Sequence, residues 1–240
     1  MSLEPKLRIT VNSAKKLKAD RFLDVGCGDG TFSALLGAVL GADEMYGIEI
    51  AADAANRAKE KGINCTCLDI DQSDFPFDRD YFAAIYAGDI IEHLFSPDHL
   101  LSEIYRVLKP TGSCIITTPN LSSWHSRLHL LMGFQPYAIP ISSNQSNRSL
   151  GSFLHRVTED HSYLHCSGGG GRGHIQFFTL KALKELLQLH GFKIVNIRGS
   201  PDVPTFHIPA ALYWAVLLIE RLNSACFPSL ASRLIIWVTK

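Results

Sequence analysis

The chain has 240 residues, of which 46% are apolar, enough for one large domain or two small ones around a substantial core. Lys and Arg balance Asp and Glu at 23 each, which excludes a global field that would draw the protein to nucleic acid or an anionic membrane. A small or neutral partner is expected. The opening MSLEPKLRIT carries Glu4, Lys6 and Arg8 where a secretory signal would have an apolar core, which points to a cytoplasmic protein.

Lys15, Lys16 and Lys18 are read as the solvated face of a helix. Arg21 to Val25 then reads as a short buried strand. After the glycine-rich GCGDG, residues Phe32, Leu35, Leu36, Val39 and Leu40 recur at helical spacing until Gly41 stops them. Met45 to Ile50 is a second strand, Ala51 to Lys61 an alanine-rich helix ended by Gly62, and Asn64 to Leu68 a third strand. Cys65 and Cys67 alternate onto one face of that strand and read as small buried apolar side chains, not as metal ligands. A loop with Asp71, Asp74 and Pro76 leads to a fourth strand, Tyr81 to Ala87. Ser96 as N-cap and Pro97 at the first helical position open a helix that carries Leu100, Leu101, Ile104, Val107 and Leu108 on one face. Gly112 to Pro119 is strand five.

Residues 120–173, rich in Ser, His and Asn and ending in the tract Gly168 to Gly171, break this rhythm and read as an inserted lid within a single domain. Its His155, His161 and His165 lie close together, but their spacing fixes no ligand set, and no metal is expected. Regular structure resumes with Thr179 as N-cap, then Leu180, Leu183, Leu186 and Leu187, and Gly191 as a stop. Phe192 to Gly199 is strand six, Ile208 to Leu222 a very apolar helix, and Arg233 to Lys240 the last strand. The longest apolar stretch is shorter than the roughly 20 residues that cross a bilayer. Strands alternating with helices, and too apolar to leave a face in water, make an α/β fold with a largely parallel sheet. The short connection into the last strand sets it antiparallel, near one edge.

Such sheets bind ligands beyond the C-terminal ends of their strands. After strand one, Gly26, Gly28 and Gly30 let the backbone turn sharply and approach a ligand closely. Asp24, near that strand's end, is suited to a water or an ammonium group. Glu49, ending strand two, can accept both hydrogen bonds of a ribose diol. Asp69, after strand three, suits an exocyclic amine such as that of adenine, with the Ile70 amide donating to a ring nitrogen. Gly88 and Asp89 close strand four.

LDVGCGDG, followed by YGIEI, CLDI, AGDIIEHL and RVLKPTGSCIITTPN, resembles the class I S-adenosylmethionine-dependent methyltransferases, especially the small-molecule subgroup that includes the ubiquinone-biosynthesis enzymes. The likeness runs from Phe22 to Asn120 and resumes at GHIQFFTLKALKELLQLHGFKIVNI. It implies a Rossmann-like, doubly wound sheet of seven strands with the last antiparallel. It also implies S-adenosylmethionine as cofactor: Gly26 and Gly28 approach its methionine part, Glu49 binds the ribose, Asp69 and Ile70 read adenine, and Asp89 begins the segment beside the sulfonium. Asp24, Cys27, Ile50 and Gly88 complete that set. A departure is Tyr81-Phe82, where the family usually has an aromatic-Asp pair. The implied reaction is methyl transfer to O or C of a small-molecule acceptor bound under the 120–173 lid. Glu92, His93 and His174 are the candidate catalytic residues, with His93 first as general base. Two other readings stay open. One is a non-catalytic cofactor-binding partner subunit; the other is a NAD-dependent oxidoreductase, whose usual G-x-G-x-x-G differs from the G-x-G-x-G here.

Overall fold

The structure, a computed structural model, describes residues 4–15, 17–136, 139, 173–201 and 210–240, with the side chains of 210–217 outside the description. Lys16, His155, His161, His165, the tract Gly168 to Gly171 and Ile208 therefore lie outside the described residues. Strands β1 (Arg21–Val25), β2 (Glu44–Glu49), β3 (Asn64–Cys67), β4 (Phe82–Gly88), β5 (Leu108–Pro119), β6 (Lys193–Ser200) and β7 (Arg233–Thr239) form one sheet in the order β3-β2-β1-β4-β5-β7-β6. β1 to β5 run parallel, and β7 lies between β5 and β6, antiparallel to both, with Ile236 opposite Ile116 on one side and Ile197 on the other. The winding reverses between β1 and β4, and open α/β sheets bind ligands beyond the C-terminal ends of the strands at such a reversal.

Alternate residues of the central strands face opposite ways, and both faces are covered. Leu23, Val25, Ile85, Ile116 and Ile236 pack with Leu100, Leu101 and Ile104 of α4 (Pro97–Val107) and with Leu183 and Leu187 of α6 (Leu180–Leu189). Their neighbours Phe22, Ala84, Tyr86, Ile115 and Trp237 pack on the other side with Val11 and Ala14 of α1 (Pro5–Ala14) and Leu36 and Leu40 of α2 (Thr31–Leu40). This is why the strands read as too apolar to leave a face in water. α3 (Ala52–Glu60) covers the β2–β3 edge through Ala55 and Ala58.

The remaining described helices are α5 (Trp124–Leu131) and α7 (Ala210–Cys226). The buried Glu220 of α7 joins them, accepting from Trp124 Nε1 and from Ser232 N (3.2 Å) and Oγ. The described start of the 120–173 segment is thus fastened to the body.

Three local expectations are corrected. β5 begins at Leu108, not Gly112: Leu108 leaves the α4 face to pair with Phe82, and the register slips before Ala84 meets Ser113. Gly112 serves that irregularity, since a Cβ there would sit 3.0–3.1 Å from the Lys109 and Ala83 carbonyls. Cys67 is exposed, because β3 is the edge strand and only Cys65 turns into the core. Of the basic run, the described Lys15 and Lys18 make no helix face: α1 ends at Ala14 with Lys15 as its cap, and Leu17 packs on the core.

Candidate functional site

The site begins with the turn after β1. Gly26, Gly28 and Gly30 have φ of +76°, +57° and +76°, the left-handed region that favours glycine. A Cβ on Gly26 would collide with the Ile90 side chain, whereas a Cβ on Gly28 would meet nothing within 4 Å. One glycine lets the loop after β4 lie against this turn, and the other faces open space. The Gly26 and Cys27 amides are used by the Ile48 carbonyl at 2.8 and 3.1 Å. The Gly28 amide donates to Glu49 Oε2 at 2.9 Å, and Ala51 N donates to Oε1 at 2.9 Å. Glu49 is thereby fixed at the tip of β2. Each of its oxygens has a second lone pair, enough to accept a diol.

Beneath the loop, Asp24 is buried and accepts from Ser33 Oγ at 2.6 Å. Burial pushes its carboxyl up to about 7, and the charge of Glu49 acts in the same direction. Cys27 turns its thiol to Cys65, 3.4 Å away, over Gly47. At the end of β3, Asp71 N donates to Asp69 Oδ1 at 3.0 Å and sets the direction of that carboxylate, while Ile70 is buried and Ile50 exposed.

At the tip of β4, Asp89 adopts φ +54° and is gripped from three elements: by Lys6 of α1, by Arg233 of β7 at 2.8 Å and by Thr117 Oγ1 of β5 at 3.0 Å. Burial alone would raise its pKa; the charges of Arg233 and Lys6 overcome that and hold it well below the usual carboxylate range. A 3₁₀ turn, Ile91–His93, follows. Glu92 in it is 2% exposed: Oε2 accepts from Thr118 Oγ1 at 2.9 Å, and Oε1 has no hydrogen-bond partner among the described residues. Burial pushes the Glu92 carboxyl up to about 8, with the Asp89 charge acting in the same direction. The Glu92 carbonyl accepts from Ile175 N at 2.8 Å and Gln176 N at 3.0 Å. That clamp brings His174 beside His93, with ring centroids 4.9 Å apart. One ligand atom from each of Glu92, His93 and His174 lies within 4.8 Å of the others.

The sheet therefore gathers Asp24, Gly26, Cys27, Gly28, Glu49, Ile50, Asp69, Ile70, Gly88 and Asp89 along one edge, with Glu92, His93 and His174 in a cluster beside them. Sequence reasoning missed Lys6, Thr117, Thr118 and Arg233. Arg233 was accessible from strand pairing, since it lies opposite Pro119 where β5 ends at the site; Lys6 carried no such signal. Tyr81-Phe82 lies at the opposite end of β4, where Tyr81 bonds to Tyr46 and Arg21 covers its ring.

A model of the family described as "Methyltransferase domain" matches residues 3–197. The chain belongs to this family. It is 26% identical over 208 residues to a demethylmenaquinone methyltransferase of Staphylococcus carnosus, covering 82% of this chain and 78% of that one. It is 23% identical over 195 residues to a ubiquinone/menaquinone biosynthesis C-methyltransferase of Desulfotalea psychrophila, covering 80% and 73%. A putative S-adenosylmethionine dependent methyltransferase from Listeria monocytogenes shares the fold at a TM-score of 0.60 and 17% identity, covering 98% of each chain. Methyl transfer from S-adenosylmethionine is the reaction of this family. The strand ends of this chain fit that cofactor: space beside Gly28, a carboxylate presented by Glu49, and another by Asp69. S-adenosylmethionine supplies a strongly electrophilic methyl, which leaves alignment as a main task of the protein. Among the described residues, no helix is long and apolar enough to cross a membrane.

Proposed function

We propose that the acceptor is a small quinone precursor bearing an ionisable hydroxyl, methylated at that oxygen or at a ring carbon activated by it. Asp24, Glu49, Asp69 and the backbone of residues 26–28 and 70 hold the cofactor; Glu92, His93 and His174 face the acceptor and ease loss of its hydroxyl proton. The names of the two relatives support the acceptor class. The observation that carries the reading is the meeting of those three side chains one turn beyond β4, on a loop whose Ile90 packs on Gly26 of the cofactor turn. O-methylation and ring C-methylation of such an acceptor both begin with that proton leaving, so one cluster serves either outcome. The 120–173 segment is read as the acceptor-side lid. In support, Thr118 just before it bonds to Glu92, and His174 just after it joins the cluster.

Calorimetry with S-adenosylmethionine and S-adenosylhomocysteine tests the cofactor half, with Glu49→Ala as control and NAD as competitor. Binding of both that is lost in Glu49→Ala is expected; preference for NAD would overturn the reading. For the acceptor half, turnover of hydroxylated quinone precursors should fall in His93→Ala while S-adenosylhomocysteine still binds. Undiminished turnover would remove the cluster from the reaction.

A further inference from the structure

We infer that Glu92, His93 and His174 form a binding site for a divalent transition-metal cation, open on one side to the acceptor's hydroxyl. The site stands on this geometry, and its use in catalysis rests on the methyl-transfer reading above.

Two imidazoles and one carboxylate form a donor set suited to zinc, cobalt, iron or manganese, whereas magnesium and calcium prefer oxygen ligands throughout. Three protein ligands leave a coordination position for water or substrate, the pattern of catalytic sites, where structural sites are closed by a fourth. With metal–ligand bonds of about 2.1 Å in tetrahedral arrangement, ligand atoms stand about 3.4 Å apart. Here they lie within 4.8 Å, so modest side-chain rotation brings them onto one ion.

A second observation points to a ligand. Glu92 is 2% exposed, and its Oε1 has no partner among the described residues. A buried carboxylate oxygen is an expensive group to leave unmet. The cations Lys6 and Arg233 pair with the neighbouring Asp89. The surroundings are also those of a held ligand: Thr118 Oγ1 orients the other Glu92 oxygen, and the Ile175 and Gln176 amides fix the Glu92 backbone and draw His174 in.

The ion acts as a Lewis acid and undergoes no redox change. It polarises the acceptor hydroxyl, and the O–H proton leaves to solvent. For O-methylation, an oxygen lone pair forms the new bond to the methyl carbon, and the pair of the breaking carbon–sulfur bond stays on sulfur as a neutral thioether. One proton is released per methyl group transferred.

Cobalt(II) is the probe. Chelator-treated, tag-free protein is titrated with Co2+ and followed by d–d absorption, with zinc as competitor, and S-adenosylhomocysteine binding is measured in parallel on every variant. We expect one Co2+ per chain, displaced by zinc. Thr118→Val should weaken binding roughly 10–100-fold, and Glu92→Gln, His93→Ala and His174→Ala should each weaken it further. All four should keep S-adenosylhomocysteine binding, which shows that they fold. Absence of Co2+ bands in the wild type, or binding that survives all three ligand variants, overturns the site. Turnover that resists chelation in a protein that binds S-adenosylhomocysteine overturns the ion's catalytic use and leaves the methyltransferase reading standing. Loss of S-adenosylhomocysteine binding in the wild type would instead overturn that reading.

Discussion

Replacing Asp24 by Asn should change how stability depends on pH, in a direction opposite to the usual carboxylate. Most acidic groups in folded proteins are paired and stabilise the fold as they ionise; Asp24 is buried with one hydroxyl donor, from Ser33, and its pKa rises from 3.8 to about 7. The folded state then holds its proton more tightly than the unfolded chain does. Its contribution is fully present below pH 4 and is lost as pH rises toward 7. Between the two pKa values each step of one in pH removes about 1.4 kcal/mol, so the loss from pH 5 to pH 8 is about 3 kcal/mol. Asn keeps an oxygen to accept from Ser33 and has no charge to bury. Urea denaturation of both proteins at several values between pH 5 and pH 8 isolates the effect. Glu92, also raised, to about 8, titrates in both and cancels in the difference. The stability advantage of wild type over Asp24→Asn should shrink by about 3 kcal/mol across that range; a pH-independent difference would refute the argument.

Gly26→Ala and Gly28→Ala should separate packing from ligand approach. Both place Cβ on a left-handed residue at a cost of about 1–2 kcal/mol, but only Gly26→Ala also displaces Ile90, so it should have the lower Tm. Gly28→Ala should weaken S-adenosylhomocysteine binding at a smaller stability cost; equal Tm values would remove the Ile90 contact from the account. Asp89→Ala leaves Lys6 and Arg233 facing each other without their shared carboxylate, and should cost about 3 kcal/mol, the low end for a buried pair because the Asp89 side chain is 21% exposed. High salt should reduce that loss in denaturant titrations. Glu220→Leu strips the acceptor from Trp124 Nε1 and Ser232, and should cost at least about 2 kcal/mol, with α5 becoming susceptible to limited proteolysis; unchanged protection would argue that α5 is held otherwise.

Much of the architecture was legible because its causes are short-range. Ser96 Oγ does accept from His99 N at 3.3 Å, and Thr179 Oγ1 from Ala182 N at 3.2 Å, as capping requires. The glycines after β1 do adopt positive φ, and the strands too apolar to leave a face in water are covered on both faces. Each of these follows from a few neighbouring residues and the period of the backbone. Cys67 shows where that reasoning ends, since the alternation that pairs it with Cys65 does not reveal that β3 is an edge. The chemistry of the site belongs to that second kind. The resemblance singles out Glu92, but nothing in the sequence shows its burial; the folding of β5 beneath it and of residues 174–176 against its carbonyl buries it and brings the two imidazoles to it. Asp89 is set below the usual range by Lys6 and Arg233, near opposite ends of the chain, which meet because α1 packs on the sheet and β7 inserts beside β5. Dihedral preference and hydrophobic period are written locally, whereas burial and charge pairing depend on which distant segments close together, and that is settled by the packing of the whole sheet.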